Sequence, residues 1–147
     1  MQERIIGFTC GAFDLLHAGH VHLLNACKDQ CDLLYVGLHT DPTIDRPNTK
    51  NKPIQSTFER YYQLQAVDAV DVIIPYDTEN DLRNILATMD IKIRFLGSDY
   101  IGKDITGSEL CEQLGIQVVF IPRLHKFSST ELRNRILSDA MSRERQR

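Results

Sequence analysis

Residues 4–39 read RIIGFTCGAFDLLHAGHVHLLNACKDQCDLLYVGLH, and the pattern within them changes twice. Arg4 to Cys10 is a short apolar run, rich in residues that suit a buried strand, and a glycine-bearing turn follows it. From about Ala18 to Gln30 the apolar positions Val21, Leu24 and Cys27 fall on one helical stripe. Asp32 to His39 is strand-like again. Strand, helix and strand in so short a span predict a β-α-β unit with parallel strands and a right-handed crossover.

The same alternation continues to the end of the chain. A polar loop with three prolines, Thr40 to Ser56, precedes a helix capped by Thr57 and running to about Ala69. Asp71 to Pro75 is the third strand, and a helix opened by Asp77 or Thr78 carries Leu82, Ile85 and Leu86. Lys92 to Gly97 is the fourth strand, followed by a loop from Ser98 to Thr106 and a helix ending near Gly115. Gln117 to Ile121 is the fifth strand. The last helix starts at Ser128-Ser129-Thr130, and its polar end, residues 138–147, is expected to fray. The sequence therefore predicts a single α/β domain over residues 1–147: a doubly wound, Rossmann-like, five-stranded parallel sheet with helices on both faces.

Composition limits the function classes. The 147 residues are 42% hydrophobic and 25% charged, which excludes a disordered, collagen-like or coiled-coil chain. With 17 basic and 20 acidic residues the net charge is −3, so no basic excess supports general nucleic-acid binding. No apolar run approaches the roughly 20 residues of a membrane span. The apolar run after Met1-Gln2-Glu3-Arg4 is too short for a signal peptide, and a cytoplasmic location is the expectation. Cys10, Cys27, Cys31 and Cys111 are too few and too scattered for a disulfide framework. Cys27 and Cys31 with His22 lack the further ligands a zinc site needs, so packed free thiols are expected.

In doubly wound sheets ligands bind at the carboxyl ends of the strands, where the strand order reverses. The first such loop holds His17 and His20, three apart around Gly19 at a helix entrance. That spacing brings both imidazoles to one side, Gly19 opens the backbone, and the helix N-terminus favours an anion. A phosphate suits this point, with imidazoles placed to stabilise charge that develops on it; a metal pair and two ordinary capping histidines are the alternatives. Gly97 to Lys103 has P-loop spacing, but Asp104 stands where a magnesium-ligating hydroxyl belongs, which excludes that motif. Ser128, Ser129 and Thr130 open the last helix across the switch point as a second phosphate cradle, with Arg123 and Lys126 nearby.

The run Gly11-Ala-Phe-Asp-Leu-Leu-His-Ala-Gly-His20 resembles the His-x-Gly-His signature of the nucleotidyltransferase superfamily, most closely the glycerol-3-phosphate cytidylyltransferases. The resemblance runs from Ile5 to about Ile136. It implies that His17 and His20 act on the nucleotide phosphates and that Lys50 and Lys52 form the Lys-x-Lys pair reaching into the site. It further implies that Ala12, Phe13, Gly19, Arg123, Ser128, Ser129 and Thr130 bind the nucleotide. Asp14, Arg60, Asp99 and Lys103 are implied as acceptor contacts, with Arg83 a further candidate. No residue is expected to ligate a resident metal; Mg²⁺ is implied as the companion of the nucleoside triphosphate, and a homodimer as the assembly.

The activity implied is transfer of CMP from CTP to a phosphorylated alcohol resembling glycerol 3-phosphate, with release of pyrophosphate. Two departures point elsewhere. Leu124-His125-Lys126 replaces the Thr-Glu-Gly of cytidylyltransferases, and Asp68 stands where they carry an arginine, so a cation near the triphosphate is expected to be missing. The Val67–Asp71 and Asp104–Glu109 stretches look more like the adenylyltransferase half of ADP-heptose synthases. Adenylyl transfer to a sugar phosphate is therefore the alternative, and a non-catalytic nucleotide-binding module is the third possibility.

Overall fold

A computed structural model describes residues 3–147, so the expectation for the start of the chain lies partly outside the described residues, at Met1 and Gln2. Five parallel strands form one sheet: β1 (Ile6–Gly11), β2 (Leu33–His39), β3 (Val72–Tyr76), β4 (Ile93–Gly97) and β5 (Gln117–Ile121). Their order is β3-β2-β1-β4-β5. The chain builds outward from β1 through β2 to β3, then returns to lay β4 on the other side of β1. The reversal leaves a crevice at the carboxyl ends of β1 and β4.

The helices are α1 (Ala18–Lys28), α2 (Thr57–Gln65), α3 (Glu79–Thr88), α4 (Ser108–Leu114) and α5 (Ser129–Arg145), with a short 3₁₀ turn at Ser98–Tyr100. Two cores sandwich the sheet. On one face Leu24 and Cys27 of α1 and Leu64 of α2 pack on Leu34, Val36 and Phe95. On the other, Leu82, Ile85 and Leu86 of α3 and Cys111 of α4 pack on Phe8 and Tyr76. The cysteines are free, and burial pushes the Cys27 thiol up to about 12. No helix among the described residues is long and apolar enough to cross a membrane.

The elements match the sequence-based expectation, with differences at the ends. Ser56, not Thr57, caps α2: its hydroxyl accepts from Glu59 N–H at 3.1 Å while the Glu59 carboxylate accepts from Ser56 N–H at 3.0 Å. That helix stops at Gln65 rather than near Ala69. Where fraying was expected from residue 138, α5 continues to Arg145, supported by an Asp139–Arg143 pair one turn apart.

The β1–α1 connection is strained. Phe13 and Leu15 have φ of +49° and +52°, in the left-handed region that non-glycine residues avoid. Tertiary contacts hold them there. Phe13 is buried in the α1-side core, and the Leu15 N–H donates to Gln55 Oε1 at 2.7 Å.

Candidate functional site

The crevice holds a cavity of about 490 Å³. Eleven of the expected residues line it: Ala12, Phe13, Asp14, His17, Gly19, His20, Lys50, Asp99, Arg123, Ser128 and Ser129.

His17 and His20 are fixed by the backbone of their own helix. His17 is the N-cap of α1, and its Nδ1 accepts from Gly19 N–H at 3.0 Å. His20 Nδ1 accepts from His17 N–H at 3.2 Å, which completes a capping box made of two imidazoles. Their rings stack with centroids 3.8 Å apart. An Nδ1 that accepts cannot carry the proton, so both rings are neutral with the hydrogen on Nε2. The His17 Nε2–H donates to Ser129 Oγ at 3.2 Å, bridging the N-termini of α1 and α5. Gly19 leaves room for this geometry, because a Cβ there would lie 2.9 Å from His17 Cε1.

Electrostatics agree with neutral rings. Burial, then the neighbouring His17, lowers His20 to about 4. Burial, then the nearby Arg123 and His125, lowers His17 below the usual imidazole range. The unfolded chain therefore binds more protons than the folded one between pH 6.5 and about 4, so stability rises with pH across that window. Urea unfolding is expected to show a loss of roughly 1–2 kcal/mol between pH 6.5 and 5, above the range where carboxylates titrate. His20→Gln is expected to reduce that slope; an unchanged slope would contradict a neutral His20.

α5 starts opposite the histidines. Ser128 caps it by accepting from Glu131 N–H at 3.0 Å, which leaves the Ser129 and Thr130 N–H groups without a partner in the helix, beside the cavity wall that Ser128 and Ser129 line. Arg123 pairs with Asp99 at 3.0 Å and donates to the Phe127 carbonyl at 2.6 Å, shaping the loop before α5. Two helix N-termini and two imidazole N–H groups thus converge on one space, an arrangement that suits a chain of phosphates. Among the described residues no three His, Cys, Asp or Glu side chains converge to hold a metal ion.

Several expected contacts lie elsewhere. Arg60 is 2% exposed and donates to the carbonyls of Gln55, Ala12, His39 and Thr40 and to Thr57 Oγ1. With its donors so used it is a clamp on the ends of β1 and β2, not an acceptor contact. Asp14 lines the cavity, but its carboxylate accepts from Ile54 N–H at 2.9 Å and Gln55 N–H at 3.0 Å and pairs with Arg133 at 2.8 Å. Burial alone would raise its pKa; those donors outweigh burial and hold it below the usual carboxylate range. Asp14 therefore anchors the strained loop to the Pro53–Gln55 segment.

Lys52, Lys103 and Thr130 are exposed and stand outside the cavity wall, Lys103 lying 6.0 Å from the Tyr100 ring. Arg83 is ion-paired with Glu109 on the surface. Asp68 is exposed in the turn after α2, so its charge does not enter this chain's cavity. Only Lys50 of the lysine pair reaches the wall, where burial, then Arg46, lowers its pKa.

The structure adds groups that sequence reasoning missed. Arg133 lies one helical turn beyond Ser129 and enters the cavity wall beside Asp14, and its buried Nε has no hydrogen-bond partner. The four-residue spacing from Ser129 was the available signal. His125, with its ring edge-on to His22 at 5.2 Å, closes the rim next to Gly19. Arg46 and Arg94 line the far side.

Comparison with known proteins places this geometry. A family model described as cytidylyltransferase-like matches residues 8–135. The bifunctional protein HldE of Nitrobacter hamburgensis is 36% identical over 131 residues, covering 89% of this chain and 27% of that protein. HldE of a Bradyrhizobium species is 36% identical over 134 residues, with 91% and 27% covered. The chain thus spans about a quarter of the length of these curated relatives. A solved lipopolysaccharide core biosynthesis protein from Thermoplasma volcanium superposes with a TM-score of 0.65 at 31% identity, covering 86% of this chain and 100% of that one. A pantoate-β-alanine ligase from Francisella tularensis shares the fold alone, at 18% identity and a TM-score of 0.57, with 86% and 62% covered.

Proposed function

The chain belongs to the cytidylyltransferase-like family, and from that premise we propose that it transfers an adenylyl group from ATP to a phosphorylated sugar, releasing pyrophosphate. The carrying observation is the pair of neutral imidazoles, each with Nε2–H free of its own backbone, at the meeting point of two helix N-termini. A site of this kind needs no protein nucleophile. An oxygen of the acceptor phosphate forms the new bond to the α-phosphorus as the bond to the β-phosphate oxygen breaks, and pyrophosphate leaves in line. The acceptor phosphate is already anionic, so no general base is required.

Each group then has a role. The His17 and His20 Nε2–H groups donate to α-phosphate oxygens as charge builds on them. The N–H groups at the start of α5, with Ser129 and Arg133, hold the β- and γ-phosphates. Lys50 neutralises charge between donor and acceptor. Magnesium enters with the triphosphate and lowers its charge. The described residues offer no three-ligand cage, so phosphate oxygens and water would hold most of the ion.

The base and acceptor follow from weaker signals. The Val67–Asp71 and Asp104–Glu109 stretches favour an adenylyltransferase acting on a sugar phosphate. The Thermoplasma relative, with its role in lipopolysaccharide core synthesis, favours a sugar acceptor. The cytidylyltransferase-like family description and the Gly11–His20 and Gly97–Lys103 loops favour a second possibility, CMP transfer from CTP to a polyol phosphate.

A thermal-shift series with ATP, CTP, GTP and UTP, each with Mg²⁺, separates the two without knowledge of the acceptor. A nucleotide at 100 times its Kd adds roughly 2.7 kcal/mol of stability, a shift of several degrees for a chain of this size. Selective stabilisation by ATP is expected. Selective stabilisation by CTP would replace ATP as the donor, and no shift with any nucleotide would contradict nucleotide binding altogether.

A further inference from the structure

The molecule buries two arginines, and they are treated differently. Arg60 is surrounded by carbonyl oxygens that take its protons. Arg94, on β4 in register with Phe8 of β1, is 3% exposed, and its partners are all uncharged: the Thr106 carbonyl, Cys111 Sγ at 4.0 Å and the Cys10 thiol beside it. Among the described residues no carboxylate is ion-paired with it. The nearby acids are otherwise engaged or do not reach it: Glu79 pairs with Arg46 at 2.5 Å, and the exposed Asp104 on the cavity wall makes no ion pair with Arg94.

A guanidinium has five N–H donors, and removing it from water without an anion is unfavourable by several kcal/mol. Arg94 lines the cavity, so the missing anion can come from a ligand there. Its neighbours show which ligand. Cys10, Tyr76 and Leu82 belong to the α3–α4 core, on the opposite face of the sheet from the α1-side core that holds Phe13. The cavity therefore extends from the histidines across β1 to a second lobe on the α3 side of the sheet, bounded by Leu82 and Thr106.

We infer that Arg94 binds an oxyanion of the phosphorylated acceptor, and that the lobe walled by Cys10, Tyr76, Leu82 and Thr106 is the acceptor's seat. This rests on the transferase reading above. The shared chemistry is an oxyanion, phosphate or carboxylate, held by the guanidinium; as the reacting phosphate it is held by two of its oxygens while the third is directed toward the histidines. Tyr76, Cys10 and Thr106 supply polar edges beside the apolar Leu82, which suits a polyhydroxylated acceptor.

The test uses the full chain and orthophosphate as the probe. Calorimetric titration is run with the site saturated by the non-transferable α,β-methylene analogue of whichever nucleotide stabilises the protein. Arg94→Met is expected to weaken phosphate binding by about tenfold or more while leaving nucleotide affinity within about twofold. Acetate and a sugar 1-phosphate titrated in parallel distinguish a carboxylate from a phosphate as the preferred group. Unchanged phosphate affinity in Arg94→Met, or no phosphate binding to the nucleotide complex of the parent chain, would overturn the assignment. Should Arg94→Met fail to fold, the Arg94 Nε–Hε resonance of the unmutated protein provides the readout. It is expected to move on phosphate addition, and a stationary signal overturns the assignment. If no nucleotide analogue binds at all, the transferase reading fails separately, and the same resonance still reports on Arg94 in the free chain.

Discussion

His17→Ala is expected to lower turnover by about 10²–10³-fold, because it removes an N–H aimed at the α-phosphate in a site with no nucleophile to compensate. The same change also deletes the N-cap of α1, which costs about 1 kcal/mol of stability. His17→Asn separates the two effects. Asparagine is a good N-cap, so this variant should unfold like the parent protein yet lose turnover as His17→Ala does. Steady-state pyrophosphate release and a urea titration on both variants provide the check. Turnover in His17→Asn within about threefold of the parent would remove His17 from the chemistry and leave it only a capping role.

The largest stability effect is expected at Arg60. Arg60→Met keeps the length of the side chain but leaves the carbonyls of Ala12, His39, Thr40 and Gln55 without their donor. Loss of a buried, fully bonded charge of this kind costs about 3–5 kcal/mol, a large share of the stability of a single domain. Arg60→Lys should recover only part of it, since one ammonium cannot reach four carbonyls set around a planar fork. Nucleotide affinity should fall as well, because Ala12 and His39, whose carbonyls Arg60 holds, line the cavity. A loss under about 1 kcal/mol in the urea midpoint of Arg60→Met would show that the loops are held by something else.

The sequence was informative where structure depends on near neighbours. Strand and helix alternation located the five strands and the five α-helices, and Thr78, one of the two residues expected to open α3, caps it in a box with Asp81 three residues on, whereas the Ser56–Glu59 box starts one residue before the expected cap, Thr57. The His17–His20 pair was visible for the same reason: its geometry is set by one helical turn and one glycine. Roles that depend on distant contacts were not legible. Asp14 and Arg133 are 119 residues apart and meet only because β1 and α5 share the crevice. An aspartate after Phe13 therefore looked like a substrate contact, while the structure uses it to hold a strained loop. Arg60 was misread similarly, because nothing local shows that its neighbours in space are carbonyl oxygens. Arg94 sat inside a run that read simply as strand, and only burial without a counter-ion sets it apart. For α5, the polar composition suggested fraying, yet its second half, LSDAMSRER, is rich in good helix formers and carries the Asp139–Arg143 pair one turn apart.

The most direct measurement is pyrophosphate release by the full chain, with each of ATP and CTP offered to a panel of sugar phosphates and polyol phosphates in the presence of Mg²⁺. Pyrophosphate formed from ATP with a sugar phosphate, together with a product carrying the nucleoside monophosphate on the acceptor phosphate, is the predicted result. Pyrophosphate from CTP with a polyol phosphate, and none from ATP, would contradict the adenylyl assignment. Nucleotide binding without pyrophosphate from any pair would contradict catalysis itself.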